Sequence, residues 1–410
     1  MPALLTSFTN YQFTALSFAG GYAGGAGSGK KYALALDTPG GALDQLRLDI
    51  VSSTGTFTMA AGNVIGTQPN AAITLANRVY FTSGGTVYFS AIGDPTMFEG
   101  QGLGSGFIET NNQFSAQEEL NGLASYQGKI ALLSRRNTII YQYDPDPAQF
   151  KLAQILPNVG TVAPLSVHNV GDLDVYCLAD NGVRSIRVRD SSNNAILADV
   201  GTPIDSILQP IIAGLPDVLK AKACGCVEPT NNRYWVYVPD PDNATTQGKI
   251  YVFSYFPSSQ IAAWSTYSPT FRYSGSNLPF RPDKFVVYQG KVYTRDAAGI
   301  YIYGGSDGET YENCGVTATI PYLSADMPST RKVFTGMDVA MEGTWAVSTA
   351  FDYDGTTYTQ VYTGTTPTFR LYRVPLTGVG THFSLKFTES SAVYARLSSA
   401  TVQFNAGTNK

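Results

Sequence analysis

The stretch Arg78-Val-Tyr-Phe-Thr-Ser83, Gly84-Gly85, Thr86-Val-Tyr-Phe-Ser90 decides the fold class of this 410-residue chain. Two runs of β-branched and aromatic residues flank a glycine pair. Such runs suit the pleated, half-buried surface of a strand, and paired glycines supply the positive φ of a tight hairpin. The unit returns along the chain: Ile130–Ser134 with Thr138–Tyr143, Val175–Ala179 with Val183–Val188, Tyr234–Val238 with Ile250–Tyr255, and Lys291–Thr294 with Gly299–Tyr303. A weaker copy comes first, at Tyr32–Leu36 and Gln45–Ile50.

Anchoring each unit near the start of its first run gives positions 33, 79, 130, 175, 234 and 292, with gaps of 46, 51, 45, 59 and 58 residues. Periods of roughly 40–50 residues with turn-rich spacers mark β-propellers, one four-stranded blade per repeat. A β-sandwich array also repeats hairpins, but its turn signals come closer, about every 8–12 residues. The spacing therefore predicts an all-β chain: a propeller of about six blades over residues 30–312. The two long gaps predict insertions. One is a short helical insertion near 203–222, where Ile204, Ile207, Leu208, Ile211 and Ile212 recur at helical spacing and Gly214 and Pro216 interrupt. Residues 1–29, rich in glycine, read as an N-terminal arm. From 313 to 410 the hairpin period stops. The runs Val333–Met341, Trp345–Phe351, Phe369–Val374, His382–Phe387 and Val393–Phe404 alternate plainly, which predicts a C-terminal antiparallel β-sheet or sandwich.

Only 14% of residues are charged, against about 25% in typical soluble domains. A surface so poor in charge suits a subunit that buries much of itself in an assembly. The net charge of −4 carries no basic face of the kind a dedicated nucleic-acid binder shows. The start, Met-Pro-Ala-Leu-Leu, lacks the basic and apolar regions of a secretory signal. No apolar run approaches the ~20 residues of a spanning helix. Synthesis in a cytoplasm is the expectation.

Chemical motifs fail one by one. Gly24-Gly-Ala-Gly-Ser-Gly-Lys30-Lys31 nearly matches a phosphate loop, but Lys31 stands where the magnesium-binding hydroxyl belongs and the following residues are strand-like. Ser306-Asp-Gly-Glu-Thr-Tyr311 resembles the turn box of sialidase-type propellers without its spacer, and it occurs once. Asp94-Pro, Asp144-Pro-Asp146-Pro and Asp240-Pro-Asp242 are turn initiators. Asn243-Ala-Thr245 is a glycosylation sequon without a secretory context. Cys177, Cys224, Cys226 and Cys314 lack redox or zinc spacing, and His168 and His382 lack metal-like spacing. Arg135-Arg136 reads as a solvated turn corner. Trp235, Trp264 and Trp345 read as core and interface residues, although aromatic rings can also stack on sugars. No catalytic, cofactor-binding or metal-binding residue is assigned, and no enzyme activity is expected.

The run Asn77 to Pro95, an Arg–strand–turn–strand–Ser–x–x–Gly–Asp–Pro pattern, resembles the propeller units of the tail nozzle, or packaged-DNA stabilisation (tail tubular), proteins of short-tailed phages. The segments Leu120–Phe150, Val175–Arg184 and Asn232–Tyr237, together with Trp264, are similar too, so the likeness covers roughly residues 75–310. What the resemblance implies is a structural, non-enzymatic virion protein of the phage tail tube. Subunits would form a homohexameric ring joined to adaptor or connector proteins and tail fibres. The ring would retain viral DNA and pass it at ejection without sequence-specific binding, with assembly in the host cytoplasm. A weakly acidic wall fits a DNA conduit, because a basic one would hold phosphates. The alternatives are a receptor- or carbohydrate-binding tail propeller, one that degrades carbohydrate among them, and a peptide-binding scaffold.

Overall fold

The computed structural model describes the strands 3–6, 11–16, 32–37, 46–50 and 57–61, and residues 70–93, 104–113, 118–191, 199–241, 248–256, 261–268, 270–273, 276–279, 281–295, 300–303, 315–352, 357–390 and 395–407. The chain divides into two compact units, Pro2–Glu309 and Thr310–Lys410.

The first unit is a six-bladed β-propeller. Five consecutive antiparallel sheets follow the sequence, and a sixth closes the ring. Blade 1 holds strands Tyr11–Leu16, Tyr32–Asp37, Leu46–Ile50 and Phe57–Ala61. Blade 2 holds Ala71–Leu75, Arg78–Ser83, Thr86–Phe89 and Gly106–Glu109. Blade 3 holds Leu120–Tyr126, Lys129–Ser134, Asn137–Gln142 and Lys151–Pro157. Blade 4 has three strands, His168–Val170, Asp174–Ala179 and Gly182–Ser185. Blade 5 holds Cys224–Glu228, Arg233–Val238, Lys249–Phe256 and Ile261–Tyr267. Blade 6 combines Lys284–Tyr288, Lys291–Arg295 and Ile300–Ile302 with the N-terminal strand Ala3–Thr6, which pairs antiparallel with Ile300–Ile302. All six sequence anchors fall on the second strand of a blade.

The N-terminal arm expected over 1–29 is corrected by this pairing. Its residues 3–6 supply the outer strand of blade 6 and 11–16 open blade 1. A ring of blades has two open edges unless the chain's two ends share a sheet, and an unpaired edge leaves a row of backbone groups without partners.

Strand composition follows from packing between blades. In blade 5, Tyr234, Val236 and Val238 join a core with blade 4, while Trp235 and Tyr237 between them join a core with blade 6. In blade 3, Ile130 and Leu132 face blade 2, and Ala131 and Leu133 face blade 4. Strands covered on both faces lose the alternation of half-buried strands, which is why the decisive runs are continuously apolar.

Both long gaps hold insertions. After blade 4 come three helices, α1 (Ile186–Ser191), α2 (Asp205–Gly214) and α3 (Asp217–Lys220). Ile204, Leu208 and Ile212 are buried in the core between blades 4 and 5, while Ile207 is exposed. The reading of Val183–Val188 as one strand is corrected at Ile186, where α1 begins. The Asp174 carboxylate accepts bonds from the Ser185 hydroxyl and the Arg187 backbone N–H, and the Ser185 oxygen accepts from the Val188 N–H, so two first-turn N–H groups of α1 find side-chain acceptors. After blade 5, the hairpin Thr270–Tyr273 with Ser276–Pro279 forms a small sheet of its own.

The second unit is a six-stranded antiparallel sheet built on one strand, Lys332–Phe351. This strand pairs along one edge with Thr359–Val374 and Gly378–Gly380, and along the other with Arg396–Ala406 and Phe383–Glu389. Val316–Thr319 pairs with Phe383–Glu389. The two runs expected at Val333–Met341 and Trp345–Phe351 are thus one strand. A bulge lies between Met341 and Gly343, and Gly343 takes φ +96°, the left-handed region that glycine enters without strain. Phe334, Met337, Val339, Met341, Trp345 and Val347 form its core with Phe383, Leu385 and Phe387. Lys332 is fully buried there because its ammonium donates to the carbonyls of Met327, Thr330 and Thr381 at 2.6–3.0 Å.

Candidate functional site: the axial cavity and the locks around it

From blade 1 to blade 6 the first strands of successive blades pack against one another. In blades 2–6 these strands, with the residues just before them, enclose a cavity of about 450 Å³. Its wall runs through Asn70–Ile73, Leu123, Pro164–Asn169, Gly225–Val227 and Lys284–Val287. Gly225 can stand here because a side chain would strike the Trp235 carbonyl, 2.4 Å from the position a Cβ would take.

Two basic side chains open onto this mostly apolar space, His168 of blade 4 and Lys284 of blade 6. His168 Nε2 lies 3.2 Å from the Leu165 carbonyl oxygen, and its ring tilts against Tyr234 at 6.5 Å. Burial drives the imidazole down to about 4, aided by the Lys284 charge and opposed by the carbonyls of Leu165 and Gly225. Burial likewise lowers Lys284 to about 8, with Arg295 lowering it further while Cys224 and Asp283 act to raise it. Asp283 is itself bound to Arg295 at 2.6–3.1 Å. The Cys224 thiol is buried and pushed far up, so it stays neutral.

Elsewhere, polar groups that resemble chemical machinery hold the blades in place. Asp174 and Asp199 have raised pKa values because both are buried. Ser185 bridges them: its hydroxyl donates to Asp174 and its N–H to Asp199. Asp174 also accepts from the N–H of Val175 and Arg187, and Asp199 from that of Val200. Carboxylates loaded with backbone donors are structural caps, and their proximity fixes the start of α1. Arg135, read as a solvated corner, is instead an ion-pair hub. Its guanidinium reaches Asp180 at 2.7 and 3.2 Å and Asp217 at 2.9 and 3.0 Å. Lys220 joins Asp180 at 3.0 Å, so the hub ties blade 3 to the blade 4 turn and α3.

Arg78 and Ser90, both from the sequence run with the phage-tail likeness, are similarly committed. Arg78 is 1% exposed. It donates to the carbonyl of Ser90 at 3.0 Å, to that of Pro145 at 2.6 Å, and to that of Gly104. The Ser90 hydroxyl accepts from the Val79 N–H and donates to the Ala91 carbonyl, each at 3.0 Å. One arginine thereby joins two strands of blade 2 to loops of blades 2 and 3. Gly84, at φ +56°, makes the turn between those strands.

The remaining sequence candidates divide into placed and unplaced. Trp235 packs edge-on against Tyr303 and Tyr267, and its indole N–H donates to Glu228. Trp264 donates to the Val200 carbonyl at 2.8 Å and Trp345 to that of Glu342 at 2.9 Å. Asp144 and Asp146 accept the N–H groups of Asp146 and Ala148, the latter capping a short 3₁₀ turn at Pro147–Gln149. Cys177, Cys224 and Cys226 are buried free thiols. Gly24–Lys31, Asp94, Asp242, Asn243–Thr245, Ser306–Tyr311 and Cys314 lie outside the described residues. Among the described residues no helix is long and apolar enough to cross a membrane.

No known family profile matches the sequence, and no curated protein is detectably similar. Solved structures with a related chain path include BamB from Moraxella catarrhalis, 13% identical with a TM-score of 0.35 over 66% of each chain. The exo-β-1,3-galactanase of Phanerochaete chrysosporium is 11% identical with a TM-score of 0.31 over 98% of this chain and 99% of that one. The extracellular domain of the one-component system BT4673 from B. thetaiotaomicron is 9% identical with a TM-score of 0.37 over 82% of this chain and 42% of that one. Similarity at this level carries no function across, and the six-bladed propeller is defined by its own sheet order and ring closure.

Proposed function

We propose that the chain is a structural subunit of a short-tailed phage's tail nozzle, one of a ring of identical copies around a channel for DNA. The observation that carries this reading is the use made of the Asn77–Pro95 run. The run resembles those proteins, and two of its polar residues, Arg78 and Ser90, are spent on backbone groups, Ser90 within blade 2 and Arg78 also across to the Pro145 carbonyl of blade 3. A likeness resting on such residues is one of architecture, as a load-carrying wall requires. The small charged fraction lowers the desolvation cost of burying wide surfaces against neighbours.

The conduit lies between subunits and not along a propeller axis. A cavity of about 450 Å³ is of small-molecule size, whereas one groove of duplex DNA is already about 12 Å wide. Rigid blades set the bore, and the loops joining them are free to gate it without opening a sheet.

Native mass measurement of the purified chain tests the proposal. A closed ring of identical subunits, expected to be six, supports it. A stable monomer that binds glycans sinks it in favour of a receptor-binding propeller.

A further inference from the structure

The edges of the C-terminal sheet are not alike. Val316–Thr319 and Gly378–Gly380 are short, at four and three residues. Thr359–Val374 is long, but Pro367 lacks an N–H in its middle, its register with Lys332–Phe351 breaks beside that proline, and Arg370 and Arg373 stand on it. Short strands, proline, bulges and charge are the usual guards against a further strand. Arg396–Ala406 lacks them over most of its length. It is eleven residues long, holds no proline and carries no charge after Arg396. Its own bulge falls near its start, at Ser398, and from Ser399 onward it is unbroken. Among the described residues it pairs on one side only, with Lys332–Glu342.

The backbone defines what this edge offers. The Gly407 N–H donates to the Arg331 carbonyl at 2.8 Å, and bonded residues alternate along an antiparallel ladder. Asn405, Gln403, Thr401 and Ser399 therefore turn their backbone groups toward Lys332–Glu342. Phe404, Val402 and Ala400 turn theirs outward, with no strand of the described residues to meet them. The side chains of these three lie half-buried at the margin of the core, while Ser399, Thr401, Gln403 and Asn405 are exposed on the other face.

We propose that this edge is completed by the same edge of a second copy of the chain, running antiparallel about a two-fold axis at Val402. That register sets Val402 against its own counterpart, Ala400 against the partner's Phe404, Thr401 against the partner's Gln403, and Ser399 against the partner's Asn405. Every outward backbone group then meets an outward group, which makes about six hydrogen bonds. The smallest apolar side chain of the strip lies against the largest, and the strip joins the cores of the two copies. No like charges meet, because Arg396 falls outside the paired run. A second copy is the occupant because the run is complementary to itself, and because pairing uses up the one unguarded edge. The pair exposes only guarded edges, so growth stops at two, as an isologous contact requires. This contact is two-fold and lies within the C-terminal unit, whereas a ring needs a head-to-tail contact. It stands or falls independently of the tail-nozzle reading.

Sedimentation of the full chain over a range of concentrations is the experiment, with reversible association to twice the chain mass expected. A Thr401→Cys chain mixed with a Gln403→Cys chain should form a disulfide between copies on mild oxidation, mapped by mass spectrometry to the two new cysteines. Thr363→Cys, on the guarded edge, should form none with either. Ala400→Pro removes an outward N–H that the ladder with Lys332–Glu342 does not use, so the chain keeps its folded circular-dichroism spectrum and loses association. Ser399→Lys with Asn405→Lys sets like charges directly opposite across the pair. It should weaken association about tenfold or more, and added salt should restore it. A monomer at every concentration overturns the inference. So does a dimer that either edge variant leaves unchanged in a folded protein, a dimer without the expected disulfide, or open-ended growth. A ring that forms without that disulfide overturns it and leaves the tail-nozzle reading standing, while a linked dimer that never enters a ring does the reverse.

Discussion

The propeller and the C-terminal sheet use β-strands in opposite ways. In blade 5 the strand Arg233–Val238 is buried at every residue from Tyr234 to Val238, because neighbouring blades cover both of its faces. In the C-terminal unit, Lys332–Phe351 buries about every second residue over much of its length. Its neighbour Thr359–Val374 is exposed over most of its length, with Leu371 64% accessible. Propeller strands gain stability from two cores at once and make a rigid body. The C-terminal sheet has one core and leaves apolar side chains such as Leu371 outward.

The sharpest way to break that contrast is to remove a ring at the junction of two blades. Trp235→Ala removes the indole that packs against Tyr267, Phe285 and Tyr303. A loss of about 3–5 kcal/mol is expected, read by urea unfolding of the propeller, and a loss under about 1 kcal/mol would contradict the two-core account.

Next comes acid. An unfolded histidine titrates near 6.5, whereas His168 in the folded cavity titrates near 4. Between those values the unfolded chain binds more protons, so stability falls as the pH falls from about 6.5 to about 4 and loses nothing further on this account below it. The full loss is about 3 kcal/mol, and His168→Gln should flatten that limb. Lys284 adds a second window: stability rises with pH between about 8 and about 10.5.

A smaller effect is expected at the blade 2 lock. Arg78→Met keeps much of the stem's packing and leaves the carbonyls of Ser90, Gly104 and Pro145 without their donor, costing about 1–3 kcal/mol. The smallest belongs to the exposed sheet. Leu371→Thr should change unfolding of the isolated chain by no more than about 0.5 kcal/mol, while reducing the ring fraction seen by sedimentation. Unchanged assembly would exclude Leu371 from the contacts of the proposed ring.

What the sequence made legible follows the same contrast. Hairpins are local, so glycine turns and continuous apolar runs marked the second strand of every blade. The chain closure was not legible. Ala3–Thr6 is four residues long, and its partner Ile300–Ile302 lies almost 300 positions away, with no local signal joining them. Ile186–Val188 alternates like a strand, and the bonds of Ser185 and Arg187 to Asp174, with the Val188 N–H on the Ser185 hydroxyl, turn it into α1. Met341 and Trp345 were read on separate runs because a bulge interrupts the alternation without ending the strand. The cavity was the least visible feature. His168 and Lys284 are more than a hundred residues apart, and each is an unremarkable polar residue in its own strand. Their common signal is positional, since both sit on the first strand of a blade, just ahead of an anchor hairpin.

The central claim, a rigid propeller subunit whose copies surround a DNA channel, is tested most directly by a three-dimensional reconstruction of the tail that contains the chain. The account predicts a closed ring of identical subunits, six in number, with a neutral to acidic lumen between them and no duplex along any propeller axis. A single copy projecting from the particle, or a lumen lined by ordered lysine and arginine, would contradict it.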